Sequence, residues 1–228
     1  MLSRSFGRAL AAACLIAAGA TMTVTTLVTP MGAGGPDRAA VGKFAAHPGR
    51  VDVLLTLDAF IVAFGAAVAL AALLARPGSP RLAAVAGWLG LVASSALVML
   101  VGTDYAIAAA VHVDRAAGGD LVQKLTDSPS FAVFVILGFL GGIVSMACLG
   151  AALWRSKAVP HWAAVAVAAA EPVNFLGSAA SPIVGALGGG LLLAGFGACA
   201  IRILRGGVPD PVATPTPPKI GAPAPGVL

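Results

Sequence analysis

Long uncharged apolar runs, separated by short polar punctuation, occupy the chain from residue 9 to residue 204. Crossing a bilayer as a helix takes about 20 apolar residues. The first run, residues 9–28, follows Arg4 and Arg8. Ala18-Gly19-Ala20 offers a signal-peptidase-like site, but the uncharged stretch continues to Pro36, longer than a signal peptide's apolar core, so a retained helix is expected. The second run, 53–75, is interrupted only by Asp58 and ends at Arg76-Pro77-Gly78-Ser79-Pro80-Arg81, which cannot continue a helix. The third, 82–112, stays apolar to Gly102, passes Thr103-Asp104-Tyr105 and resumes to His112. It is long for one span, so it tilts or projects beyond the bilayer. The fourth, 131–154, carries Gly138 and Gly142 at the spacing that lets helices approach closely.

From Trp162 to Ile201 there is one charge, Glu171. A single helix of that length would measure about 60 Å, twice the hydrocarbon core, so the segment must fold back. Gly177-Ser178-Ala179-Ala180-Ser181-Pro182 is the best hairpin. It gives a short fifth helix, 162–176, broken by Pro172, and a sixth, 182–204. The pattern thus predicts an all-α, six-helix transmembrane bundle over residues 1–206. The tail, 207–228, is rich in proline and alanine and reads as disordered.

Composition excludes the soluble alternative. Hydrophobic residues make up 59% and charged residues 10%, with a mean hydropathy of +0.97, whereas soluble domains run to about a quarter charged. Lipid has to be the solvent, and a multi-pass protein of the cell membrane is expected. A net charge of +5 does not point to nucleic acid. The basic residues stand singly or in pairs at the ends of apolar runs, with no cluster or aromatic stacking platform.

Their distribution sets the orientation. Arg4, Arg8, Arg76, Arg81, Arg155, Lys157, Arg202, Arg205 and Lys219 fall on one side of six spans, and Arg38, Lys43, Arg50, Arg115 and Lys124 on the other. The richer side is cytoplasmic by the positive-inside rule, which places both termini inside. Trp154 and Trp162 flank the inner turn, where an aromatic belt belongs.

That turn, Arg155-Ser156-Lys157-Ala158-Val159-Pro160-His161-Trp162, resembles the inner turn of a widespread bacterial family of small six-helix membrane proteins classed as a domain of unknown function. In that family a basic–Ser–basic–x–hydrophobic–Pro–x–Trp stretch follows the fourth helix. The wide first outer loop and a second helix opening near acids (here Asp52 and Asp58) also fit. The resemblance covers residues 9–204 in layout and the octapeptide in detail, with His161 where the family more often has arginine. It implies a six-helix fold and a membrane location, and it assigns no activity, cofactor or site residue.

Ionisable residues at membrane depth cost a few kcal/mol and are candidates for function by default. Helix rise puts Asp58 about 8 Å below the outer surface and Glu171 about 13 Å above the inner one; Asp104 falls near the outer boundary. Thr21, Thr23, Thr25, Thr26, Thr56, Thr103, Tyr105 and Asn174 share that outer half, while the inner halves are nearly pure Ala, Val, Leu and Gly. Glu171, Asp58, Asp104, Asn174 and Tyr105 are therefore the candidate ligand- or proton-binding residues, with Glu171 placed first because Pro172 frees a backbone carbonyl beside it. The bland alternatives are snorkelling for Asp58, a helix-end acid for Asp104, and packing glue bonded to Asn174 or a threonine for Glu171.

No metal site or cofactor is expected. Cys14, Cys148 and Cys199 sit singly in apolar runs, His112 and His161 fall on opposite sides, and soluble-enzyme motifs are missing. Gly188-Gly189-Gly190 reads as a close-packing or flexible site rather than a phosphate cradle.

Three functions fit. An outward-facing polar cavity would bind or transport a small ligand or ion; small-residue faces would dock an accessory subunit on a larger membrane complex; or the carboxylates would serve an intramembrane enzyme. Convergence of Asp58, Asp104 and Glu171 separates them. Topology reporters fused at residues 76–81 or in the tail should read cytoplasmic, and those at 32–50 and 114–130 external. An external C terminus overturns the six-span arrangement.

Overall fold

The computed structural model describes residues 4–31 and 36–206; the predicted tail, 207–228, lies outside them. The described residues form helices α1 (Arg4–Val28), α2 (Ala40–Ala46), α3 (Pro48–Asp58), α4 (Val62–Ala75), α5 (Pro80–Ala110), α6 (Arg115–Thr126), α7 (Pro129–Ser156), α8 (His161–Ala180) and α9 (Pro182–Leu204), and no strand. Helices α1, α5, α7, α8 and α9 are each long and apolar enough to cross a membrane, and α3 with α4 makes a sixth candidate when taken as one bent span.

The second predicted helix, 53–75, is thus two helices bent by 42°. Around the break the hydrogen bonds tighten to i→i+3: Phe60 N–H donates to Leu57 C=O at 2.8 Å, Ile61 to Asp58 at 3.0 Å and Ala63 to Phe60 at 2.9 Å. No proline or glycine marks the site, so composition could not reveal it. The flanks are instead held from outside, since the Tyr105 hydroxyl donates to Leu55 C=O at 2.7 Å and the Cys14 thiol to Ala63 C=O at 3.4 Å. Side chains inserted into a backbone ladder are a recognised cause of kinks.

The fifth helix is also corrected. Rather than ending at 176, broken by Pro172, α8 runs on through Pro172 to Ala180. Packing along α7 and α9 supplies the support that lets proline persist inside a membrane helix. The hairpin remains, and Ser181 caps α9 by accepting from Val184 N–H at 3.2 Å.

Two segments taken as loops carry helices. Helices α2 and α6, with the start of α3, form a cap at one end of the bundle. Phe44, Val41, Leu54 and Val122 bury against Ile107 and Ala110 of α5. The 31 residues of α5 include last turns that hold the cap, through Ile107 and Ala110. In water, burying each large apolar side chain there contributes about 1.5–3 kcal/mol. Asp114 caps α6 through Ala117 N–H, and Arg38 pairs with Asp120 at 2.8 Å.

At the opposite end the turns meet. A side chain at Gly78 would strike Ser156, and Gly206 lies beside Arg8. The start of α1, the end of α9 and both short basic turns therefore share one end.

Between the ends, helices are held by close backbone approach. Lipid is as apolar as leucine, so packing has to supply what the hydrophobic effect cannot. Gly188 abuts the α8 backbone at Ala170 and Asn174, and a Cβ at Gly189 would lie 2.6 Å from Thr23 Cα on α1. The triple glycine is a packing seam that joins α9 to both neighbours. Gly190 faces open space. Gly189→Ala should therefore cost about 1–3 kcal/mol of stability by overpacking, while Gly190→Ala should be neutral or stabilising by about 1 kcal/mol or less. Thermal unfolding in lipid nanodiscs compares them; equal effects would contradict the seam.

Candidate functional site

The polar residues predicted for one half of the bundle gather at the cap end. There a cavity of about 520 Å³ opens between α1, the α3–α4 break, α5, α7 and α8. Thr26 and Thr29 come from α1 and its end, Ile61 from the break, Thr103 and Asp104 from α5, Phe131, Val135 and Phe139 from α7, and Asn174, Phe175 and Ser178 from α8. Helical spacing explains the walls: 131, 135 and 139 recur every four residues, and 174, 175 and 178 share one face.

Asp58 and Asp104 converge. Their carboxyl groups lie close enough to interact, brought together because α3 ends at Asp58 and Tyr105, the residue after Asp104 on α5, is tied to Leu55. Asp58 is 5% exposed, and its Oδ2 has no hydrogen-bond partner among the described residues. Asp104 lines the cavity. Two carboxyls in contact need a shared proton or a cation between them, because adjacent bare negative charges repel strongly at low dielectric. Snorkelling does not describe Asp58, which is buried against its partner.

Glu171 is not part of this pair. It is 5% exposed and faces Gly142 of α7, where a Cβ would stand 3.8 Å from its Cδ. Among the described residues no hydrogen bond reaches its carboxyl. The bond to Asn174 or a threonine is not made, because Asn174 is committed elsewhere: its Nδ2 donates to Thr26 Oγ1 and to Gly185 C=O, both at 3.1 Å. Glu171 lies one helical turn, about 6 Å, beyond Phe175. Phe175 packs on Phe139 with ring centroids 5.1 Å apart, so the ring pair forms the cavity floor on that side.

Tyr105 is a latch rather than a wall residue, spending its hydroxyl on Leu55. Most threonines are spent as well. Thr23, Thr25 and Thr26 donate to carbonyls four residues back at 2.8 Å, and Thr56 does so to Asp52 at 2.7 Å. This back-bonding satisfies hydroxyls within their own helix. The aromatic wall of Phe131, Phe139 and Phe175 was missed, although the matching stripes on α7 and α8 could have suggested it. Among the described residues, no group of three or more His, Cys, Asp or Glu stands together as a metal site.

Compared with family models, curated proteins and solved structures, the chain matches none.

An unpartnered buried carboxyl costs about 1–3 kcal/mol relative to an apolar side chain that fits. Glu171→Leu should therefore raise thermal stability by about that amount, with Glu171→Gln nearer to the native protein. A clear loss of stability in Glu171→Leu would show that the carboxyl holds a bond the fold needs.

Proposed function

We propose that this chain is a six-span protein of the cell membrane, with both termini cytoplasmic, that binds a small ligand or ion in an outward-facing cavity. The observation that carries the reading is the Asp58–Asp104 pair, in which half-buried Asp104 lines a cavity of about 520 Å³ and Asp58 is buried beside it. That volume lies within the range of about 300–1,000 Å³ typical of small-molecule sites. Ionisable residues inside a membrane bundle are rare, and those that face its interior mark substrate and ion pathways. Orientation rests on the basic asymmetry, together with the meeting of the basic turns at the end opposite the cap. Kinship with the six-helix bacterial family belongs to the same proposal and rests on the 155–162 turn. Gly19, Gly150, Gly188, Gly189 and Gly195 are spent on contacts within the chain, which favours a ligand-binding bundle over an accessory subunit offering glycine faces to a larger complex.

A ligand that binds only the folded protein stabilises it by about 2.7 kcal/mol at a hundred times its Kd. A small-molecule screen by thermal shift in nanodiscs should yield compounds whose effect disappears when the cavity is filled by Val135→Trp or, independently, by Ser178→Phe. If every stabilising compound acts equally on both filled variants, or none stabilises the native protein, the cavity is not a ligand site.

A further inference from the structure

The chemistry of the cavity wall narrows the ligand, given that the cavity is a ligand site as proposed above. We infer that it receives an organic cation: a protonated amine or quaternary ammonium group carried on an apolar body.

The charged and amide groups offered to an occupant are acceptors, while the hydroxyls of Thr29, Thr103 and Ser178 can donate or accept. Asp104 lines the cavity, and Asp58, which interacts with it, is more than nine-tenths buried, its Oδ2 without a partner among the described residues. Asn174 uses its amide nitrogen on Thr26 and Gly185, so what it can offer an occupant is its carbonyl oxygen. Among the described residues no Lys, Arg or His lines the cavity. A negative carboxyl pair facing a space without counter-charge is completed by a cation that brings N–H donors or a diffuse positive charge.

The remaining wall sets the shape of that cation. Phe131, Phe139 and Phe175 present aromatic surface to the cavity. Aromatic faces attract alkylammonium groups and bury apolar bodies. A metal ion would have to give up its hydration shell for two carboxyls and a largely apolar surround. An organic cation loses less on entering and gains on both sides, because one end meets the acids and the other the rings.

The test uses the full chain in lipid nanodiscs, titrated with 2-phenylethylamine and with 2-phenylethanol, its neutral counterpart. Calorimetry and thermal shift give affinities. The amine should bind saturably, and the alcohol about tenfold or more weaker, as the loss of one charge-assisted hydrogen bond implies. Asp104→Asn should abolish that preference while leaving the weaker affinity for the alcohol, and Asp58→Asn provides a second variant should Asp104→Asn misfold. Equal affinity for amine and alcohol in the native protein overturns the cation class, as does a preference that survives Asp104→Asn and Asp58→Asn. Binding of neither probe, alongside cavity-dependent neutral or anionic compounds from the screen, overturns the cation class alone. A screen without any cavity-dependent compound overturns the underlying ligand site instead.

Discussion

In a bilayer, apolar side chains gain nothing by leaving lipid for one another, so backbones must come close enough for dispersion and packing to hold helices together. The seam of α9 meets that requirement. Gly188 and Gly189 let it lie against α8 and α1 at once, Gly19 meets Leu193 across the α1–α9 contact, and Gly195 meets Val167 and Ala163 across the α8–α9 contact. Toward the termini end the same logic fills the bundle with alanine, leucine and valine around Leu15, Phe196 and Leu153. Toward the cap end it lapses. Large rings replace small residues on α7 and α8, the α3–α4 pair bends by 42°, and the space left between them is the cavity.

That space holds the polar groups the bundle cannot neutralise internally. Threonines of α1 close their hydroxyls onto their own helix, and Asn174 ties α8 to α1 and α9. What remains is the acidic pair, with the hydroxyls of Thr29, Thr103 and Ser178. The Asp58–Asp104 pair stands at the break between α3 and α4, where backbone bonds have already been traded from i→i+4 to i→i+3. The cap packs on the projecting end of α5 above this point, and Met31, which packs against the cap core, also lines the cavity. Bend, cap and carboxyl pair therefore depend on one another through α5, with Tyr105 as the mechanical link.

Much of this was legible from the residues alone. Apolar run lengths gave the helix order, and the doubled stretch after Trp162 forced the hairpin now seen at Ser181. Concentration of polar side chains in one half of the predicted spans pointed to the end where the cavity lies. What escaped has physical reasons. The break after Asp58 contains Ala59, Phe60 and Ile61, all compatible with a straight helix, and its cause is tertiary. Helices α2 and α6 are too short and too polar to register against the strong membrane signal. Glu171, ranked first by depth and by its neighbour Pro172, proved separate from the aspartates because depth along a helix says nothing about the face it occupies. Tyr105 was grouped with the candidate residues by its level in the bundle, but level does not set direction, and adjacent residues on a helix point about 100° apart.

The most direct measurement is the reactivity of a single cysteine placed in the cavity. With Cys14→Ser, Cys148→Ala and Cys199→Ala as background, Ser178→Cys is exposed in intact cells to cationic and anionic methanethiosulfonate reagents. An outward-open cavity with the aspartate pair on its wall predicts labelling from outside, with the cationic reagent faster by about tenfold and that advantage lost in Asp104→Asn. No labelling from outside, or equal rates for both reagents regardless of Asp104, would contradict the account.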